Sequence, residues 1–176
     1  MLDKPMDQWT ELDFLRRAYI HARDHSLDPS TQCGAVLLPV GGFDLVTFGT
    51  NRFPDGVECT PEMLADRETK YFRVQHAERD CILKAARNGF ATEGATLYCP
   101  WFSCAECAKA IICAGIKRVV GHRRIMRKTP ERWMGSIHAA DRMLDEAGVE
   151  CEYLAGDLFH GDPDYAILFN GERWIP

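Results

Sequence analysis

HAERDCILKAARNGFATEGATLYCPWFSCAECAKAIICAGIKRVVG (76–121) is the stretch on which the reading of this chain turns. HAERDCILKAARNG (76–89) is a predicted helix ended by Asn88-Gly89, a pair suited to the turn that closes a helix. ATLYCP (95–100) is a predicted strand and SCAECAKAIICAG (103–115) a helix stopped by Gly115. IKRVVG (116–121) is the next strand. Alternating helices and strands with short connections imply parallel strands covered by helices.

Working outward, Leu12, Leu15, Ala18, Tyr19 and Ala22 recur at helical spacing and predict a helix from residue 7 to about 25. Asp28-Pro29-Ser30 breaks it. CGAVLLPV (33–40), a tight turn at Gly41-Gly42 and FDLVTFG (43–49) predict a hairpin. The polar loop NRFPDGVECTPEMLADRETKY (51–71) follows, with a short helix over 61–67. On the other side come a helix over 131–147 and a last strand, VECEYL (149–154). The expected class is α/β, with a mixed five-stranded sheet whose first hairpin is antiparallel, between helical layers (α/β/α). Residues 1–154 form the expected domain. Residues 155–176 show no period and are read as a tail of the same domain, compatible with an extra lobe, an oligomer contact or an arm over the site.

The 176 residues suit one core, and their 46% hydrophobic content excludes a disordered chain. No apolar run reaches bilayer length, and MLDKPMDQW (1–9) lacks the basic-then-apolar layout of a signal peptide. A cytoplasmic protein is expected, with its eight cysteines reduced. Net charge of −5 disfavours a stable nucleic-acid partner. Yet residues 117–132 carry seven Lys/Arg and one acid, leaving 14 bases against 25 acids elsewhere. That run reads either as a solvated face or as a receiver for a small nucleotide's phosphate.

Two of the predicted helices open with metal-ligating residues: His76-Ala77-Glu78 on one, Cys104 and Cys107 on the other. Side by side, they would bring one imidazole and two thiolates to a point. Three protein ligands and one open position suit a catalytic zinc, the open position holding a water that the metal acidifies. Cysteines three apart in a first turn can face one way, and helix N-termini favour thiolates. Glu78 projects at another angle from His76, so it is placed to move protons rather than to bind metal. The competing reading is a structural zinc closed by Cys59 or Cys99, or a zinc module without activity. Glu78 argues against the latter, since a structural zinc needs no proton shuttle.

The H-x-E and C-x-x-C pair is a recognised signature of zinc deaminases. From about Trp9 to Leu154 the chain resembles the cytidine/deoxycytidylate deaminase superfamily, most closely its deoxycytidylate branch. The similarity lies in DPSTQCGAVLL (28–38), GTNRFPDG (49–56), KYFRVQHAERDCI (70–82), EGATLYCPWFSCAECAKAII (93–112) and AGIKRVV (114–120). It implies a homo-oligomer that deaminates dCMP to dUMP. It also implies that Asn51 bonds the sugar or base edge, Ala77 offers a backbone contact, and Trp101 and Phe102 wall the base. Ser103 stands where the family's Pro precedes the first cysteine, and Asp80 and Arg52 replace its Asn and Gly. Gly121-His122 stands where Tyr is common. Arg52, His122, Arg123 and Arg124 are the candidate phosphate contacts. Another small substrate such as dCTP, cytidine, cytosine or guanine is the alternative. The acidic charge and the missing E-P-C segment argue against tRNA adenosine.

Overall fold

The computed structural model describes residues 4–176; Met1, Leu2 and Asp3, at the head of the stretch read for a signal peptide, lie outside it. A five-stranded sheet runs in the order β2 (Thr47–Thr50), β1 (Gly34–Leu38), β3 (Thr96–Tyr98), β4 (Arg118–His122), β5 (Glu150–Leu154). β1 pairs antiparallel with both β2 and β3, whereas β3, β4 and β5 are parallel. Strand alternation splits the apolar residues between two faces. Ala35, Leu37, Leu97 and Val119 point to a core completed by helices α4 (Ala77–Arg87), α5 (Ala105–Cys113) and α7 (Met134–Glu146). Val36, Tyr98 and Val120 point to a second core, built with α1 (Glu11–His25) and residues of the tail. The mixed sheet with an antiparallel first hairpin and helices on both faces is the expected architecture. Among the described residues no helix is long and apolar enough to cross a membrane.

Two glycines set how closely the helices approach. A Cβ on Gly34 would lie 2.1 Å from the Ala18 carbonyl oxygen, and one on Gly49 would lie 2.2 Å from that of Ala77. α1 therefore rests on the backbone of β1, and the N-terminus of α4 on that of β2.

Several boundaries differ from expectation. α1 starts at Glu11, because the Asp13 carboxylate accepts the Thr10 amide (2.8 Å) and caps the helix there. Residues 43–45 form a 3-10 turn instead of a strand, and β2 begins only at Thr47. The long loop holds α2 (Pro61–Ala65) and a further helix, α3 (Arg67–Arg73), started by the Asp66 side chain accepting the Thr69 amide (2.8 Å). α3 lacks an apolar face, burying only Lys70, so hydrophobic periodicity does not reveal it. A short α6 (Arg123–Met126) follows β4 directly. The tail folds into the hairpin β6 (Ile167–Phe169) and β7 (Glu172–Trp174), with Leu158, Phe159, Ile167 and Phe169 buried against α1's face of the sheet.

Candidate metal centre and substrate pocket

The N-termini of α4 and α5 lie together on one face of the sheet. His76 is the N-cap of α4, Cys104 the N-cap of α5, and Cys107 sits in α5's first turn. The His76 Nδ1 lies 3.5 Å from the Sγ of each cysteine. All three donors fall within 4.8 Å of one another, and among the described residues no other His, Cys, Asp or Glu joins the group. Cys59 is exposed, and Cys99 is buried elsewhere in the pocket wall. The site therefore has three donors, not the four of a closed structural zinc. One imidazole and two thiols suit zinc's borderline-soft character. The thiols are unequal. A hydrogen bond from Cys107, with His76 contributing, lowers Cys104 to about 3, while Cys107 is pushed up. The positive ends of both helices add to the stabilisation of thiolate.

Glu78, in the first turn of α4, is 5% exposed and lines the same pocket as His76 and Cys104. Burial pushes its carboxyl up, against the pull of His76. Trp101 and Phe102 also line this pocket. Trp133 stands edge-on to His76 (6.2 Å, 67°) and to Trp101 (5.9 Å, 79°), and the Trp101 Nε1 donates to the Thr129 hydroxyl at 2.8 Å. Ala77 is fully buried at the start of α4. Among the described residues the buried Ser103 hydroxyl makes no hydrogen bond of ordinary length, and it stands beside the Glu78 carboxyl.

Asn51 lines the pocket, but its amide is committed to the protein. Its Oδ1 accepts from the Ser26 hydroxyl (2.7 Å) and the Cys33 amide (2.8 Å), and its Nδ2 donates to the Thr31 carbonyl (2.6 Å) and Asp28 (3.2 Å). Instead of offering a free amide to a ligand, it holds the wall in place.

None of the four candidate phosphate contacts lines this pocket. His122 has no exposed surface and sits between the Tyr19 hydroxyl (2.8 Å) and the Gly156 carbonyl (3.0 Å). Arg124 pairs with Asp157 and Arg123 donates to the Tyr153 carbonyl. Arg52 pairs with Asp55 (2.6 Å) and Asp80 (3.1 Å). The last contact also explains two departures from the family pattern at once: Arg52 and Asp80 are partners. Asp80 in addition accepts the Thr50 amide (3.0 Å) and pairs with Lys84 (2.7 Å), tying α4 to the end of β2. The cations that do line the pocket are Lys70, paired with Asp28 at 3.1 Å, and Arg132, which forms no ion pair among the described residues. Sequence reasoning missed Lys70, Tyr71, Arg132 and Trp133 as pocket residues. The first two opened the KYFRVQHAERDCI (70–82) stretch that carries the family resemblance, and Arg132 ended the basic run.

Residues 8–123 match the model of the cytidine and deoxycytidylate deaminase zinc-binding region. The chain belongs to this family. It is a zinc-dependent deaminase. Among its relatives within the family, an uncharacterised deaminase of Aliivibrio fischeri is 35% identical over 76% of this chain and 86% of its own length. The deoxycytidylate deaminase of Mus musculus is 37% identical over 64% of each chain. That of phage T4 is 43% identical over 61% of this chain and 50% of its own. The chain thus spans between half and two thirds of these two deoxycytidylate deaminases. The dCMP deaminase of cyanophage S-TIM5, solved in complex with dCMP and dUMP, superposes with a TM-score of 0.60 over 80% of this chain and 93% of its own, at 24% identity. That likeness places the deaminase in the same fold.

Proposed function

We propose that the protein hydrolyses the 4-amino group of a cytosine nucleotide, converting dCMP and water to dUMP and ammonia. His76, Cys104 and Cys107 hold the zinc, which when bound supplies a Lewis acid that makes water nucleophilic near neutral pH. The observation that carries the reading is a buried carboxylate, Glu78, sharing a pocket with a three-donor metal cluster. Its raised pKa suits a group that moves two protons in turn, one from water to the ring nitrogen and a second from the added oxygen to the departing amine. Trp101, Phe102 and Trp133 enclose a flat base and exclude water from it. The Ser103 hydroxyl is available to bond the substrate, and the α4 N-terminus at Ala77 offers backbone polarity.

The monophosphate is assigned to Arg132, backed by Lys70. Arg132 is the one cation of the pocket wall whose charge is not already paired among the described residues. The relatives named as deoxycytidylate deaminases support the substrate class. The reading includes a homo-oligomer, for which the exposed Phe72 and Leu83 supply apolar surface and which light scattering tests.

The test is ammonia release from dCMP, dCTP, deoxycytidine, cytosine and guanine. dCMP should be turned over fastest, and no turnover of any cytosine nucleotide would end the proposal. Glu78→Gln should keep near-stoichiometric zinc while kcat falls by about 10²–10⁴-fold. Arg132→Gln should lower kcat/KM for dCMP about tenfold, the scale of one charged hydrogen bond, and leave deoxycytidine unaffected.

A further inference from the structure

The family match ends at residue 123, yet the last strands of the chain reach back to the pocket. The β6–β7 hairpin turns at Asn170-Gly171, both with positive φ (54° and 81°), the left-handed pair that a two-residue hairpin requires. One side of this turn grips residues 30–32. The Gly171 amide donates to the Ser30 carbonyl (2.8 Å), the Asn170 amide to the Thr31 hydroxyl (3.3 Å), and the Gln32 amide to the Leu168 carbonyl (2.8 Å). The Gln32 side chain returns the contact by accepting the Leu168 amide at 2.9 Å. The other side reaches a second part of the pocket wall. The Phe169 ring meets Trp101 edge-on at 4.9 Å, and the Asn170 Nδ2 donates to the Lys128 carbonyl (3.2 Å), in the segment leading to Arg132 and Trp133. Ser30, Thr31 and Trp101 all line the pocket.

We propose that this C-terminal hairpin sets the width of the substrate pocket, with Phe169 and Asn170 as positioning residues that tie segment 30–32 to Trp101. Neither residue lines the pocket, so their effect passes through the walls they join. Six contacts from one short hairpin to two segments around the pocket exceed what burial of Phe169 alone requires. The inference rests on the reading of this pocket as the nucleotide site.

The test uses the full-length zinc enzyme. Asn170→Gly keeps the left-handed turn and removes only the side-chain tie. Phe169→Leu keeps an apolar side chain in the core and removes the ring edge against Trp101. The double variant should retain zinc. KM for dCMP should rise about fivefold with kcat within about twofold, the pattern of lost binding without lost chemistry. Amide exchange across residues 30–33 should quicken about tenfold, through easier local opening. Leu144→Ala, in the opposite core, serves as a control that lowers stability without raising KM. Unchanged exchange at 30–33 overturns the proposal, as does a kcat loss at constant KM or an equal KM rise in Leu144→Ala. If the parent enzyme turned over no cytosine nucleotide, the nucleotide reading would be what failed. The exchange comparison would still decide whether the hairpin holds the wall.

Discussion

His76 and His122 both sit where a regular element ends, and both were singled out from sequence, yet their surroundings differ in kind. The ring of His122 is fully buried and complete: Nε2 donates to the Gly156 carbonyl and Nδ1 accepts the Tyr19 hydroxyl. Burial lowers its pKa and keeps it neutral. His76 faces two sulfurs at 3.5 Å; burial presses its pKa down, but the hydrogen bond to Cys104 and the charges of Glu78 and Cys104 together raise it. The first histidine has spent its bonding capacity on the fold. The second has its capacity directed at a cluster that needs a cation. Residue type marks both as candidates, and only the bonding balance separates them.

The sharpest way to break this contrast is to remove a partner of His76 and, separately, the ring of His122 itself. Cys104→Ala should reduce bound zinc to below about a tenth of stoichiometric, with ammonia release lost in parallel, as metal content by atomic emission would show. His122→Phe should keep zinc and most activity, but it leaves the buried Tyr19 hydroxyl and Gly156 carbonyl unpaired. An orphaned buried group costs about 1–3 kcal/mol, so thermal melts should shift down by several degrees. Zinc loss from His122→Phe as complete as from Cys104→Ala would erase the distinction.

The smallest effect is in pH. Burial lowers the pKa of His122, and burial, with His25 next in weight, lowers that of His21 to about 4. Between the usual 6.5 and the folded value, the unfolded chain binds the proton more readily. The stability tied to these neutral rings is therefore complete above about pH 6.5 and is lost as pH falls. Denaturant midpoints from pH 8 to 5 should decline, and less steeply in His122→Phe, with His21 supplying the slope that remains.

The mixed five-stranded sheet with its antiparallel first hairpin and the metal cluster were legible because their signals are local. Strand alternation gives the two faces, and two helix starts carry three ligands at short spacing. The pocket wall was harder to read. Asn51 has the right type and place, but whether its amide is free depends on Ser26, Asp28, Thr31 and Cys33, which only folding brings around it. The basic run misled for the same reason. Within it Arg124 pairs with Asp157, Arg123 donates to the Tyr153 carbonyl and Arg118 pairs with Glu11, and only its last member, Arg132, lines the pocket. The C-terminal hairpin did carry a local signal, the Asn170-Gly171 pair, which is recognisable once short strands are sought on either side of it.

The contact at Gly49 gives the metal centre an unusual datum. α4 begins at Ala77, next to His76, and its first carbonyl lies where a side chain on residue 49 would have to go. The height of the imidazole above the sheet is thus surveyed from main chain to main chain, with no rotamer between. Drift in the apolar residues beneath α4 can proceed by exchange of one side chain for another while the ligand keeps its elevation. A single methyl group on residue 49 would lift the whole benchmark.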